Sequence, residues 1–164
     1  MIRAAVITIS DSVVAGTRED RSGLKLRERV ESLGWVVEAP QVVADERGQI
    51  AALLRSLADS GRVSVILTTG GTGVALRDVT PEATRDVLER EVPGLGELMR
   101  SEGYKATPFA VLSRAAAGTR GRCLIVNLPG SPKGAVESFD AIAKLVPHIV
   151  DLLEGRTGHA DVPN

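Results

Sequence analysis

At 164 residues the chain is long enough to bury a core without disulfides or structural metals, and its length fits one domain. A formal net charge of −1, with 43% hydrophobic and 25% charged residues, offers no basic field that could track a nucleic-acid backbone. Trp35, Tyr104, Phe109 and Phe139 are its only aromatic residues, and no apolar run reaches membrane-spanning length, so neither nucleic acid nor a membrane is expected as a partner.

Small phosphorylated ligands remain open. The single cysteine, Cys123, lies in the apolar run Cys-Leu-Ile-Val and reads as a buried structural thiol. His148 and His159 are the only histidines, which leaves no zinc-ligand spacing; a metal would have to be a hard cation on carboxylates, with Mg²⁺ the natural candidate. The short apolar run after Arg3 has no cleavage-like site and carries no secretion signal, so a cytoplasmic protein is expected.

In chain order, Ala4 to Ile9 is a mostly apolar run suited to a strand covered on both faces, and it ends in a polar loop at Ser10 and Asp11. Leu26, Val30 and Leu33 then recur at helical spacing, with Ser22 as N-cap and Gly34 as stop. Extended segments at 35–37 and 42–43 flank Pro40. Asp45 opens a stretch whose Ile50, Leu53, Leu54 and Leu57 mark one helical face ending near Gly61. A third strand, 63–69, runs into Gly70-Gly71-Thr72-Gly73. Thr80 and Pro81 look like the N-cap and first residue of a helix, a second short helix follows Pro93-Gly94, and the segment 109–112 is ambiguous. Cys123 to Leu128 is a strand too close to the preceding segment for a helical crossover, so some antiparallel pairing is expected. Val136, Phe139, Ala143, Val146, Val150 and Leu153 form one stripe of a long last helix, kinked at Pro147. The alternation predicts an α/β fold with a mostly parallel, mixed sheet and helices on both faces, as a single domain over 1–155 with a frayed tail over 156–164. Ligands should bind at the strands' carboxyl ends.

Three constellations fall at such ends. The first is Gly70, Gly71, Thr72 and Gly73, where adjacent glycines let backbone amides approach an anion or a flat ring. No Gly-Lys-Ser/Thr follows and Leu76 occupies the third fingerprint position, so the turn is neither a Walker loop nor a dinucleotide motif. The second is the pair Asp45 and Asp78, each beside a helix start, where each is either a helix cap or a carboxylate holding Mg²⁺ against ATP phosphates. The topology favours the second role, because two strand ends of one parallel sheet deliver both acids to the edge that carries the glycine turn. The third is Asn127-Leu128-Pro129-Gly130-Ser131-Pro132-Lys133-Gly134, a strand, turn and helix start where free amides, Ser131 and Lys133 would favour an anion, or which simply initiates the helix. Arg114 is either a phosphate clamp or a surface arginine, and Ser10-Asp11 either a capped turn or a ligand contact.

Taken together, Thr-Ile-Ser-Asp-Ser with Ala-Gly over 8–16, Thr-Thr-Gly-Gly-Thr-Gly over 68–73, Arg-Asp-Val-Thr-Pro-Glu-Ala over 77–83, Ser113-Arg114 and the Asn127 turn resemble the MogA/MoaB family. Gephyrin G domains and plant molybdopterin adenylyltransferase domains are members of it. The resemblance implies a three-layer α/β/α sandwich, a homotrimer, Mg²⁺, and ATP and molybdopterin as substrates, with the product adenylylated before metal insertion and a molybdenum insertase as partner. It matches Asp45 and Asp78 to the two essential aspartates. Ser10, Gly70, Gly71, Thr72, Gly73, Ser113, Arg114, Asn127, Pro129, Gly130, Ser131 and Lys133 fall on the quoted motifs as pterin or nucleotide contacts. A non-catalytic pterin carrier or scaffold, and a nucleotide pyrophosphatase of the same fold, are the competing readings.

Overall fold

The computed structural model describes residues 1–158; His159 and the rest of the expected tail, 159–164, lie outside the described residues. Three strands form the centre of the sheet: β1 (Arg3–Ile9), β4 (Val65–Thr69) and β7 (Cys123–Leu128), with β1 and β7 each parallel to β4. Every residue in them except Arg3 is buried. This is why they read as apolar runs rather than alternating ones: both faces are covered. β2 (Val36–Val37) and β3 (Gln41–Val43) follow one another along the outer side of β1, both parallel to it. On the other side β6 (Ala117–Arg120) runs antiparallel to β7, and β5 (Arg90–Glu91) antiparallel to β6. The sheet is therefore mixed and mostly parallel.

The period-2 alternation of each central strand divides the core in two. Ala4, Val6, Val65, Leu67, Leu124 and Val126 face one side. There they meet α2 (Arg21–Glu31), α5 (Pro93–Tyr104), α6 (Pro132–Ile142) and α7 (Val146–Leu153) through Leu26, Met99, Phe139 and Val150. Ala5, Ile7, Ile66 and Ile125 face the other side, against α3 (Arg47–Asp59) and α4 (Thr80–Arg85). This is the expected three-layer sandwich. Trp35 closes its end edge-on against Phe139, ring centroids 5.6 Å apart. Burial pushes the Cys123 thiol up to about 12, consistent with an inert core cysteine.

Several local expectations change. Asp20, not Ser22, caps α2, accepting from the Gly23 N–H at 2.9 Å, while Ser22 is buried inside the first turn. The long last helix is two helices. Proline has no N–H and its ring would collide with the carbonyl four residues earlier, so α6 stops after Ile142 and Pro147 sits in the first turn of α7. The segment 109–112 is part of a 3-10 turn, Pro108–Leu112. The polar loop after β1 contains a one-turn helix, α1 (Asp11–Val14), capped by Ser10. Arg156, in the segment expected to fray, pairs with Asp151 at 2.6 Å.

Beneath the ligand edge the buried strands turn polar. Asn127, fully buried, accepts the Ala116 N–H at 3.1 Å and donates to Thr68 at 3.1 Å and Thr84 at 2.8 Å. Asn127→Ala strands that amide and both hydroxyls, and should lower unfolding free energy by about 2–4 kcal/mol in urea titrations. A loss below ~0.5 kcal/mol would show that the network contributes nothing.

Candidate active site

β1, β3, β4 and β7 are mutually parallel, so their carboxyl ends open on one edge, and their loops meet there. The glycine turn after β4 is held from below. Thr80, expected as a helix cap, is instead the buried first residue of α4, and its hydroxyl donates to the Gly70 carbonyl at 2.9 Å. Thr69 donates to the Pro129 carbonyl at 2.7 Å and joins this turn to the one after β7. Gly70 and Gly71 have φ of 108° and 68°, a region that side chains resist. A Cβ on Gly71 would lie 2.3 Å from the Thr80 hydroxyl and 3.0 Å from Asp45 Oδ1. Among the described residues, the N–H groups of Gly71, Thr72, Gly73, Gly130 and Ser131 have no protein acceptor, which leaves two sets of amides for an anion.

The two aspartates are not helix fasteners. The N-cap of α3 is Glu46 and that of α4 is Val79, neither with a side-chain bond. Asp45 Oδ2 accepts the Asp11 N–H at 2.9 Å, and Asp11 Oδ1 accepts the Asp45 N–H at 3.0 Å. Asp78 Oδ2 accepts the Ala75 N–H at 3.0 Å and closes the loop that delivers it. Burial pushes the Asp45 carboxyl above its ordinary value, the charges of Asp11 and Asp78 acting in the same direction against the Asp11 N–H. Arg77 holds Asp11 below the usual carboxylate range, helped by the Asp45 N–H.

Two cavities meet at these residues. A polar cleft of about 350 Å³ is bounded by Thr8, Ser10, Arg18, Asp45 and Gly70 and by the N-terminal turn of α2. A second cavity, of about 430 Å³, is walled by Met99, Phe109, Leu112 and Ala115, with Arg100 and Ser113 as polar points. Gly71, Asp78, Gly130 and Ser131 line both. Such a pair suits a ligand with a flat, largely apolar part and an anionic part joined at the seam.

Residues 5–148 match the family model described as "Probable molybdopterin binding domain". Over 156 residues the chain is 42% identical to the molybdopterin adenylyltransferase of Helicobacter pylori strain J99, covering 94% of this chain and 89% of that protein. It is 35% identical to the molybdopterin adenylyltransferase of Escherichia coli K12, covering 94% and 86%. The crystal structure of the molybdopterin biosynthesis enzyme MoaB from Thermus thermophilus superposes with a TM-score of 0.89 at 50% identity, covering 94% and 98%. The chain belongs to this molybdopterin adenylyltransferase family.

Of the residues matched to the family's motifs, Ser10, Gly70, Gly71, Thr72, Gly73, Ser113, Pro129, Gly130 and Ser131 line the cavities with both aspartates. Three others do not. Asn127 is fully buried and spends its amide on the floor below. Lys133 points outward, 83% exposed, toward Glu137. Arg114, half-buried, turns into the fold: it donates to the Gly73 carbonyl at 2.7 Å, the Asp78 carbonyl at 2.7 Å and the Glu82 carboxylate, bracing the loop between the glycines and Asp78. Burial works to raise the Glu82 pKa, but the Arg114 hydrogen bond and charge, together with its own backbone N–H and the charge of Arg85, hold Glu82 below the ordinary range. Sequence reasoning missed Arg100, which sits mid-helix in α5, faces the second cavity and donates to the Ser113 and Ala115 carbonyls at 3.3 and 3.2 Å. It missed Asp20 as well, although Asp is among the preferred N-cap residues; the cap was read two residues on, at Ser22.

The glycine turn and an open helical glycine should respond oppositely to an added methyl. Gly71→Ala should cost about 1–3 kcal/mol through positive φ and the Thr80 collision. Gly48→Ala, at a helical site with nothing within 4 Å, should gain up to about 1 kcal/mol. Equal effects in denaturant titrations would refute the strained-turn assignment.

Proposed function

We propose that the chain transfers the adenylyl group of ATP to the terminal phosphate of molybdopterin, with Mg²⁺ as cofactor, releasing pyrophosphate. The observation that carries this reading is the convergence of Asp45 and Asp78 with unengaged turn amides on one cleft. The apolar cavity accepts a flat ring, the polar cleft the phosphates, and the seam at Gly71 and Gly130 is where the reacting phosphates meet.

The residues fit a cation brought in by the nucleotide. Asp45 Oδ1 faces the glycine turn with no donor among the described residues, and Asp78 lines the same cleft. No group of three or more His, Cys, Asp or Glu that could hold a metal occurs among the described residues, so ATP phosphates and water would complete the coordination, as Mg²⁺ prefers. When bound, Mg²⁺ supplies neutralisation of the charge on the triphosphate.

The acceptor needs little activation. A phosphate monoester has a second pKa near ~6 and is largely dianionic at neutral pH, so no strong base is required. An oxygen of that phosphate forms a bond to the α-phosphorus of ATP as the bond to the bridging oxygen of the β-phosphate breaks, and the electron pair leaves on pyrophosphate. The protein's task is to hold two polyanions in line. The amides of Gly71 to Gly73 and of Gly130 and Ser131 take phosphate oxygens, while Asp45 and Asp78 fix the cation's place. By family resemblance the enzyme works as a cytoplasmic homotrimer and passes its product to a molybdenum insertase. No helix among the described residues is long and apolar enough to cross a membrane.

Pyrophosphate release should require molybdopterin, ATP and Mg²⁺ together and should stop on chelation with EDTA. Asp78→Asn can still accept the Ala75 N–H, so stability should change by less than about 1 kcal/mol while turnover falls at least about 100-fold. Asp45→Asn should likewise lose turnover but keep pterin binding. Normal pyrophosphate release by either variant rejects the assignment. Pterin binding without release in the native chain points to a carrier, and nucleotide consumption without pterin to a pyrophosphatase.

A further inference from the structure

Asp11 lines neither cavity, yet it exchanges two hydrogen bonds with a residue that does. Its backbone N–H donates to Asp45 Oδ2 at 2.9 Å, and its own Oδ1 accepts the Asp45 N–H at 3.0 Å. The exchange occupies one oxygen of Asp45 and sets the rotation of its carboxylate. The other oxygen, Oδ1, is left beside the Gly71 turn.

Arg77 stands behind this pair. Its guanidinium donates to Asp11 Oδ2 at 2.6 Å and Oδ1 at 3.2 Å, to the Asp45 carbonyl at 3.2 Å and to Glu46 Oε1 at 2.8 Å. One planar side chain thus ties the loop after β1 to the loop after β3, and it precedes Asp78 directly in the chain. The residue that backs the Asp11–Asp45 contact is thus the chain neighbour of Asp78. A plain tie between loops would need only one of these bonds. A reciprocal pair on the acid that faces the cleft, backed by a bidentate cation, is the arrangement that fixes a ligand oxygen.

We infer that Asp11 and Arg77 are positioning residues for the aspartate pair: they hold Asp45 so that a single oxygen, at a set distance from Asp78, meets the cation of bound nucleotide. This rests on the proposed role of Asp45 toward Mg-ATP. Asp11 touches no substrate and acts through Asp45.

The test uses the full chain with Mg²⁺ and ATP. ATP binding is measured calorimetrically with and without Mg²⁺ and without pterin, and turnover is titrated with Mg²⁺. Asp11→Ala removes the acceptor of the Asp45 N–H and the anchor of Arg77. It should raise the half-saturating Mg²⁺ concentration about tenfold or more and remove most of the Mg²⁺-dependent gain in ATP affinity, with the KM for molybdopterin within about twofold of native. Asp11→Asn keeps an acceptor for the Asp45 N–H and should restore most of the loss. Arg77→Lys, which loses the bidentate fork, should fall between the two; it replaces an exposed side chain and so carries the test if Asp11→Ala does not fold. An unmoved Mg²⁺ requirement in Asp11→Ala or Arg77→Lys, with only a lower unfolding temperature, overturns the inference. Asp45→Asn separates the two failures. If it too keeps the Mg²⁺-dependent gain, the role of Asp45 is wrong; if it alone loses the gain, the positioning by Asp11 is wrong.

Discussion

The site depends on a layer of buried hydrogen bonds at the carboxyl ends of the central strands. β1, β4 and β7 are apolar until their last residues, where Thr8, Thr68, Thr69 and Asn127 remain buried. Thr8 donates to the Asp20 carboxylate at 2.7 Å, Thr69 to the Pro129 carbonyl, and Asn127 links the Ala116 N–H to Thr84 of α4 and to Thr68 in the neighbouring strand. Unpaired polar groups in this position would cost a large part of a domain's marginal stability, so the loops are held in the one arrangement that satisfies them. The turn amides above are free for an anion because their loops are held from beneath.

Electrostatics above the floor follow from the same economy of contacts. Three carboxylates, Asp11, Asp45 and Asp78, gather near one turn, and burial and mutual repulsion act against ionising Asp45. Arg77 offsets this from outside the cleft rather than within it. The lining keeps a net demand for positive charge, which a nucleotide-borne cation would meet. Arg114, Glu82 and the Gly73 carbonyl form the equivalent brace on the other side of Asp78.

How much of this could be read beforehand depends on the range of the interaction involved. The central strands and the helical faces of Ile50, Leu54 and Leu57 were legible because burial on one or two faces imposes a period that the chain itself displays. An antiparallel pairing beside β7 was legible because the link before it is too short for a helical crossover, but β6 itself was not read as a strand. The gathering of Asp45 and Asp78 was legible because parallel strands share a carboxyl edge. What escaped was decided by partners far along the chain. Arg114 carries no mark in its own segment of a bond to Gly73 41 residues earlier, and Asn127 looked like a ligand contact because its motif is that of a turn. Thr80 and Ser22 were read as caps on local chemistry, but tertiary packing buried both: Asp20 caps α2 instead, and α4 has no side-chain cap. β5, two exposed residues long, has no periodicity to show.

The antiparallel strand is what completes the pocket. Had β6 run parallel to β7, the chain entering it would have arrived at the opposite edge of the sheet from the ligand loops. Because it runs antiparallel, its start at Ala117 lies opposite Val126, and the residues just before it come up beside the glycine turn. Arg114 donates its N–H to the Thr72 carbonyl at 2.8 Å, Ala116 meets the Asn127 side chain, and Ser113 and the 3-10 turn wall the apolar cavity. A purely parallel sheet would offer the phosphate-binding turns and both acids but leave the second cavity without its far wall. The reversal of one strand thus turns a phosphate cleft into a site with room for a ring.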